Sequence, residues 1–194
     1  MDGRTTGPSR LTAPIRTARL QLRPLIPADF EPMCRIYGNA EVARWLLWEP
    51  REPAAVRVAL DRKLRETVIG GSGDALSLAI DHRGTFIGDC VLWVTSADDG
   101  QGEIGYILDP AHQGHGYATE AAEALLQLAF AELGLHRVAG RIEPRNIASG
   151  RVLERLGMRR EALLFENEFV KGEWQSEAIY AILDREWRDG RPRE

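Results

Sequence analysis

Cysteine is nearly absent from this 194-residue chain, which holds only Cys34 and Cys90. Two thiols without a metal-type spacing do not make a disulfide-stapled secreted scaffold. Lysine is just as scarce, with Lys63 and Lys171 set against 23 arginines. No run of about 18 apolar residues occurs, so no stretch reads as a membrane-spanning helix. The net charge of −4 argues against a nucleic-acid binder that works by counterion release, although charge alone leaves a local basic patch open. Met1 to Pro14 lacks the apolar core of a signal peptide and is rich in Gly, Thr, Pro and Arg. These absences lead to the expectation of a cytoplasmic protein with no nucleic-acid and no membrane partner. What is present, 44% hydrophobic and 28% charged residues, suits one domain with its own core. That domain is expected at 17–188, between a flexible leader at 1–16 and a flexible tail at 189–194.

The order of elements reads as mixed α/β. Leu20-Gln21-Leu22-Arg23 alternates as a half-buried strand does. A helix is expected from Ala28 or Asp29 to Gly38, a usual C′ residue, and a second short one capped by Asn39 and reaching Trp45. Pro53 opens a third, expected to reach Ile69 and close at Gly70-Gly71. Strands at Leu76–Asp81 and Phe86–Val94 flank a hairpin turn, and Glu103–Leu108 follows. Apolar spacing predicts a helix from Tyr117 to Leu133, a strand over Arg137–Ile142, and a helix from Asn146 to Leu156. Two strands, Leu163–Val170 and Trp174–Leu183, close the series.

The stretch Gln113-Gly114-His115-Gly116-Tyr117-Ala118-Thr119-Glu120 lies between a strand and a helix start. Glycines allow a tight turn and close approach of backbone to ligand, and the free N–H groups of the helix N-terminus attract anions. Some phosphorylated ligand is expected here. A dinucleotide fingerprint needs a third glycine where Thr119 stands, and a P-loop needs a lysine that the region lacks. His112 and His115 lie three apart with no third ligand nearby, so no metal is expected.

The stretch resembles the (Gln/Arg)-x-x-Gly-x-(Gly/Ala) motif of the GNAT superfamily of acyl-CoA-dependent N-acetyltransferases. Thr17 to Pro24, Glu103-Ile104-Gly105-Tyr106, Asn146-Ile147-Ala148-Ser149, Leu153 to Met158, Tyr180 to Leu183 and Glu186-Trp187 are similar, in order and spacing, to the RimJ/RimL-like branch. Members of that branch acetylate ribosomal-protein N-termini and other amines. The resemblance implies a GNAT fold, α/β (α+β), with a mixed sheet of about six to seven strands, flanking helices, and acyl-CoA bound at a splay in the sheet.

It also implies roles. Gln113, Gly114, His115, Gly116, Tyr117, Ala118 and Thr119 would hold the pyrophosphate of acetyl-CoA. Asn146 would touch the pantetheine arm, besides capping its helix. A backbone N–H near Ile107 and Leu108, where the family has a bulge, would stabilise the oxyanion. Glu103 is the candidate general base, acting through water; as a plain strand glutamate it would simply face solvent. Ser149, a candidate for the cofactor's thiol as well as for the general acid, would protonate the departing sulfur or merely bond to helix backbone. A tyrosine that many family members carry on this helix is replaced by Glu154.

The acceptor is expected to be a primary amine, a peptide N-terminus or a small molecule, in a cleft lined by Trp48, Glu49 and Lys171–Trp174, with Trp45 nearby. Family members often carry an aspartate near Ser176, absent here. Glu166, Glu168 and Glu173 would attract a cationic amine, or would be a solvated face. The oligomeric state, a homodimer included, stays open. The competing function is a catalytically silent acyl-CoA-binding regulatory module, which would share the loop and Asn146 but have no use for Glu103 and Ser149.

Overall fold

A computed structural model of the chain describes residues 9–11 and 13–190. Its elements, in order, are β1 (Ser9–Arg10), β2 (Ile15–Arg16), β3 (Gln21–Pro24), α1 (Phe30–Tyr37), α2 (Ala40–Ala43), α3 (Pro53–Lys63), β4 (Val68–Ile69), β5 (Ala75–His82), β6 (Thr85–Ser96), β7 (Gln101–Leu108), α4 (Tyr117–Gln127), β8 (Arg137–Ile142), α5 (Ile147–Arg155), β9 (Arg159–Val170), β10 (Glu173–Leu183) and α6 (Asp184–Asp189).

The main sheet has eight strands in the order β2-β3-β5-β6-β7-β8-β10-β9, one more than the range expected, the addition being the two-residue β2. Every neighbouring pair is antiparallel except β7 with β8. Strands β1 and β2 fall inside the expected leader, yet β1 pairs with β4 and β2 with β3. Paired structure therefore starts ahead of Thr17, and 1–8 and 12 of the leader lie outside the described residues, as does 191–194 of the tail.

Two further expectations need correction. The third helix stops at Lys63 rather than Ile69, because Val68 and Ile69 are drawn into strand pairing with Arg10 and Ser9. Gly38 ends α1 in a right-handed conformation, φ −81°, so space and not a left-handed cap accounts for the glycine there. A Cβ on it would lie 2.9 Å from the Cys34 carbonyl oxygen and 3.4 Å from that of Arg51.

The sheet separates two apolar layers. One gathers Leu76, Leu78, Ile80, Leu92, Ile104 and Leu108 with the apolar faces of α4 and α5. The other packs Met33, Ile36, Tyr37, Val56 and Leu60 of α1 and α3 against Ala79 and Phe86. Period-two alternation along β7 turns Ile104, Tyr106 and Leu108 toward α4 and α5, and Glu103, Gly105 and Ile107 toward the α1–α3 layer.

Candidate active site

Strands β7 and β8 are hydrogen-bonded neighbours over only three positions, Gln101↔Arg137, Gly102↔Val138 and Glu103↔Ala139. Beyond Glu103 each strand runs on without pairing to the other, and the gap is a cleft of about 390 Å³. Glu103, Tyr106, Ile107, Asn146 and Ser149 all line it. The expected bulge in β7 does not occur: pairing with β6 is continuous from Gly88↔Leu108 to Val94↔Gly102. The opening comes from the parting of β7 from β8.

Unbroken register lets the backbone donors be assigned. The Asp109 N–H donates to the Ile87 carbonyl at 2.9 Å, which makes Leu108 and Gly88 a non-hydrogen-bonded pair. Leu108 and Tyr106 therefore turn their N–H groups away from β6, into the gap, while Ile107 spends its own on β6. Of the two expected oxyanion residues, only Leu108 offers a free donor. Its carbonyl is held by Gln113 Nε2 at 3.2 Å, which ties the end of β7 to the turn that follows.

In that turn Gly114 and Gly116 have φ of 77° and 82°, a left-handed backbone that side chains oppose. Gly116 is the N-cap of α4, so the N–H groups of Tyr117, Ala118 and Thr119 open the helix free of helical partners. Thr119 Oγ1 is buried without a hydrogen-bond partner among the described residues. An orphaned hydroxyl beside free N–H groups fits an anionic group at this place. His115 stacks on Tyr117 at 5.7 Å and its Nδ1 meets the Gln113 carbonyl, which leaves that ring nitrogen engaged within the turn.

Arg19 is a neighbour that motif reading did not single out. It donates to the His115 carbonyl at 2.9 Å, pairs with Glu120 at 2.7 Å, and lies 4.7 Å over the Tyr117 ring. Burial would raise the Glu120 carboxyl, but bonds from Thr17 and from the Arg19 backbone and side chain hold it below its ordinary value. Thr17 and Arg19 thus grip the glycine turn and the start of α4 and bring a cation there.

Glu103 stands on the face of β7 turned toward the α1–α3 layer, with Arg141 Nε 3.0 Å away; the same guanidinium bonds Glu177 at 2.9 Å. Burial pushes the Glu103 carboxyl above its ordinary value, Arg141 pulls it back in part, and Glu177 adds to the rise. A glutamate facing open solvent would have neither partner nor rise. On the other face of β7, Ser149 Oγ lies 2.9 Å from the Tyr106 hydroxyl. Burial holds the Tyr106 phenol up to about 12, with the Ser149 bond opposing, so it stays protonated at neutral pH. Asn146 caps α5 by accepting from the Ser149 N–H at 3.2 Å, which leaves its amide N–H₂ for a ligand. Tyr106 and Arg141 were missed by motif reading, since only strand register brings them to Ser149 and Glu103.

Of the expected acceptor residues, Trp45, Trp48 and Glu168 line the cleft, and Glu49 does not. None of Lys171–Trp174 is among the lining residues; Lys171 instead donates to the carbonyls of Ala43 and Arg44 at the end of α2, at 2.9 and 3.1 Å. Glu173 is taken up by Arg145, and Trp174 stays exposed against Phe169. Glu166 is exposed and outside the cleft lining.

A sheet that parts beside a glycine turn and a helix N-terminus suited to an anion, with a carboxylate in the opening, fits an acyl-CoA-dependent acyltransferase. Residues 19–159 match the family model described as Acetyltransferase (GNAT) domain. The chain belongs to that family, whose members use acetyl-CoA, and is an N-acetyltransferase. It is 28% identical over 171 residues to the uncharacterized N-acetyltransferase p20 of Bacillus licheniformis, covering 88% of this chain and 96% of that one. An acetyltransferase of the GNAT family from Bacillus anthracis superposes with a TM-score of 0.77 at 27% identity, over 89% of this chain and 99% of the other. Mycobacterium smegmatis RimJ, solved in complex with CoA-disulfide, superposes with a TM-score of 0.73 at 25% identity, over 86% and 83%. Among the described residues no helix is long and apolar enough to cross a membrane.

Proposed function

We propose that this chain transfers the acetyl group of acetyl-CoA to a primary amine by direct attack of the amine on the thioester. The reading rests on one observation above the rest: β7 and β8 part just past Glu103↔Ala139, between a carboxylate on one face and a phosphate-type turn at the strand end. The turn at Gln113–Thr119 holds the pyrophosphate through the first N–H groups of α4, with Arg19 adding positive charge. The Asn146 amide reaches the pantetheine arm, which lies in the gap where β8 would otherwise pair.

The acceptor enters from the Glu103 side as an ammonium ion and must lose a proton before it attacks. Glu103 takes that proton through water, and its raised proton affinity suits it to the task better than an ordinary surface carboxylate. The Leu108 N–H donates to the thioester oxygen as negative charge grows there. Ser149, its hydroxyl held by Tyr106, donates to the thiolate as the C–S bond breaks and takes up in exchange the second proton, which the former amine nitrogen sheds. Holding amine and thioester together in one narrow gap supplies much of the rate. The acceptor class is a peptide N-terminus or a small amine.

The test is release of free coenzyme A thiol from acetyl-CoA across a panel of amines and N-terminal peptides, with cofactor binding measured separately by calorimetry. Turnover on at least one acceptor supports the reading. Binding without turnover on any acceptor would leave a cofactor-binding module, and no binding of coenzyme A would refute both.

A further inference from the structure

The cleft walls carry opposite charge. On the wall built by β7, β8, β9 and β10, one guanidinium, Arg141, serves two carboxylates, Glu103 and Glu177. Arg145 is likewise shared between Glu143 and Glu173, and Glu168 lines the cleft without an ion pair among the described residues. That wall keeps an excess of negative charge, which suits an ammonium group. Facing it are Arg51, Arg62 and Lys63. Lys63 is neutralised by Asp89 at 2.8 Å and Arg62 by Glu66 at 3.0 Å. Arg51 has no carboxylate partner among the described residues.

The setting of Arg51 is rigid. Its guanidinium lies 4.3 Å over the Trp48 ring and 5.5 Å from that of Tyr37, and those two rings are 5.0 Å apart. Its backbone N–H donates to the Tyr37 carbonyl at 2.9 Å. Pro50 and Pro53 limit the segment on either side. The missing Cβ of Gly38 is what lets the Arg51 carbonyl approach α1. A guanidinium stacked on aromatic faces keeps its N–H edge free and has little rotamer freedom to lose on binding.

We propose that Arg51 is an anion-binding subsite of the acceptor cleft, and that the acceptor is an amine that also carries an acidic group. Its ammonium end faces Glu103, its acid meets the edge of Arg51 in a bidentate contact, and its body lies along Trp48. This rests on the transferase reading above and narrows its acceptor. A polycation such as spermidine meets the same guanidinium as a repulsion, and is selected against.

The experiment compares matched acceptors, namely amino acids and di- and tripeptides against their C-terminal amides, with spermidine as the polycation. Wild-type protein is expected to favour the free acids by roughly tenfold to a hundredfold in kcat/KM, the weight of one charge-assisted contact, carried mainly by KM. Arg51→Gln should bring that ratio close to one while leaving the KM for acetyl-CoA unchanged, and Arg51→Lys should restore part of it. A general loss of fold would lower acids and amides alike and would not move their ratio. Equal or better use of the amides or of spermidine by wild type overturns the proposal, as does an acid-to-amide ratio unaffected by Arg51→Gln. Absence of coenzyme A release with every acceptor overturns the transferase reading, and this proposal with it.

Discussion

A carboxylate that must accept a proton works only above its own pKa, so the acid limb of the pH–rate profile should report Glu103. Burial and Glu177 raise that pKa and Arg141 lowers it, which puts the limb above the usual carboxylate range. Glu103→Gln is expected to slow transfer by about 10²- to 10⁴-fold and to remove the limb, with coenzyme A affinity unchanged. The neighbours give the sign a second check. Arg141→Met takes away the group that favours the charged form, so the limb moves to higher pH; Glu177→Gln removes a like charge, so it moves to lower pH. Rate measurements from pH 5 to 9 on the three variants decide the assignment, and profiles that match wild type would exclude Glu103 as the base. Tyr106→Phe is a milder change at the opposite face. It removes the partner of Ser149 and is expected to cost about two- to tenfold in rate, the net worth of one neutral hydrogen bond, with the acid limb unmoved. That Glu103, Asn146 and Ser149 would share one cleft was expected from family resemblance, on motifs of fixed local spacing. The contacts of Arg141, of Arg51 and of Tyr106 (itself inside the Glu103–Tyr106 segment) with that cleft were not, because they arise from strand pairing and from packing between segments far apart in sequence.

At the scale of elements, a strand, a turn and a helix start make the proposed phosphate site, and the turn depends on a left-handed residue at the helix N-cap. Gly116→Val places a β-branched residue at φ 82°, with its Cβ 3.4 Å from the Arg19 guanidinium. Such strain is worth about 1–3 kcal/mol and is relieved by moving the turn, which carries the free N–H groups off the pyrophosphate. Coenzyme A binding measured by calorimetry is expected to weaken by at least about tenfold while the melting temperature falls only modestly. Unchanged affinity would mean that the turn does not bind phosphate. The hairpin β5–β6, the helices α4 and α5, and the closing pair β9 and β10 were readable from turn glycines and local periodicity. The end of α3 and the strands β1, β2 and β4 were not. Their two-residue ladders form only when Val68-Ile69 meets Ser9-Arg10 and when Ile15-Arg16 meets Gln21-Leu22. The splay was expected from family resemblance, but its cause, parallel pairing that ends after three positions, became visible only with the sheet assembled.

Across the whole molecule, the two lysines that stand out against 23 arginines both join the α1–α3 layer to the rest. Lys171 reaches from the β9–β10 turn to the carbonyls at the end of α2. Lys63, at the end of α3, is buried against Asp89 of β6, whose other oxygen accepts from the Tyr37 hydroxyl of α1 at 2.7 Å. One carboxylate therefore fastens both helices to the sheet at the wall of the cleft. A slender ammonium on a four-carbon stem fits such a buried point contact, where a forked guanidinium would leave donors unpaired. Lys63→Met strips the cation and leaves a buried carboxylate uncompensated, a change that costs about 3–5 kcal/mol. For a domain of this size that corresponds to a fall in Tm of roughly 6–20 °C. Hydrogen exchange should rise first in α1 and α3 and last in β5–β7, because the helical layer has its own apolar cluster and loses its polar anchor. Uniform exchange across both layers, or a Tm within a degree or two of wild type, would show that the helices are held by apolar packing alone and that the buried pair contributes no net anchoring.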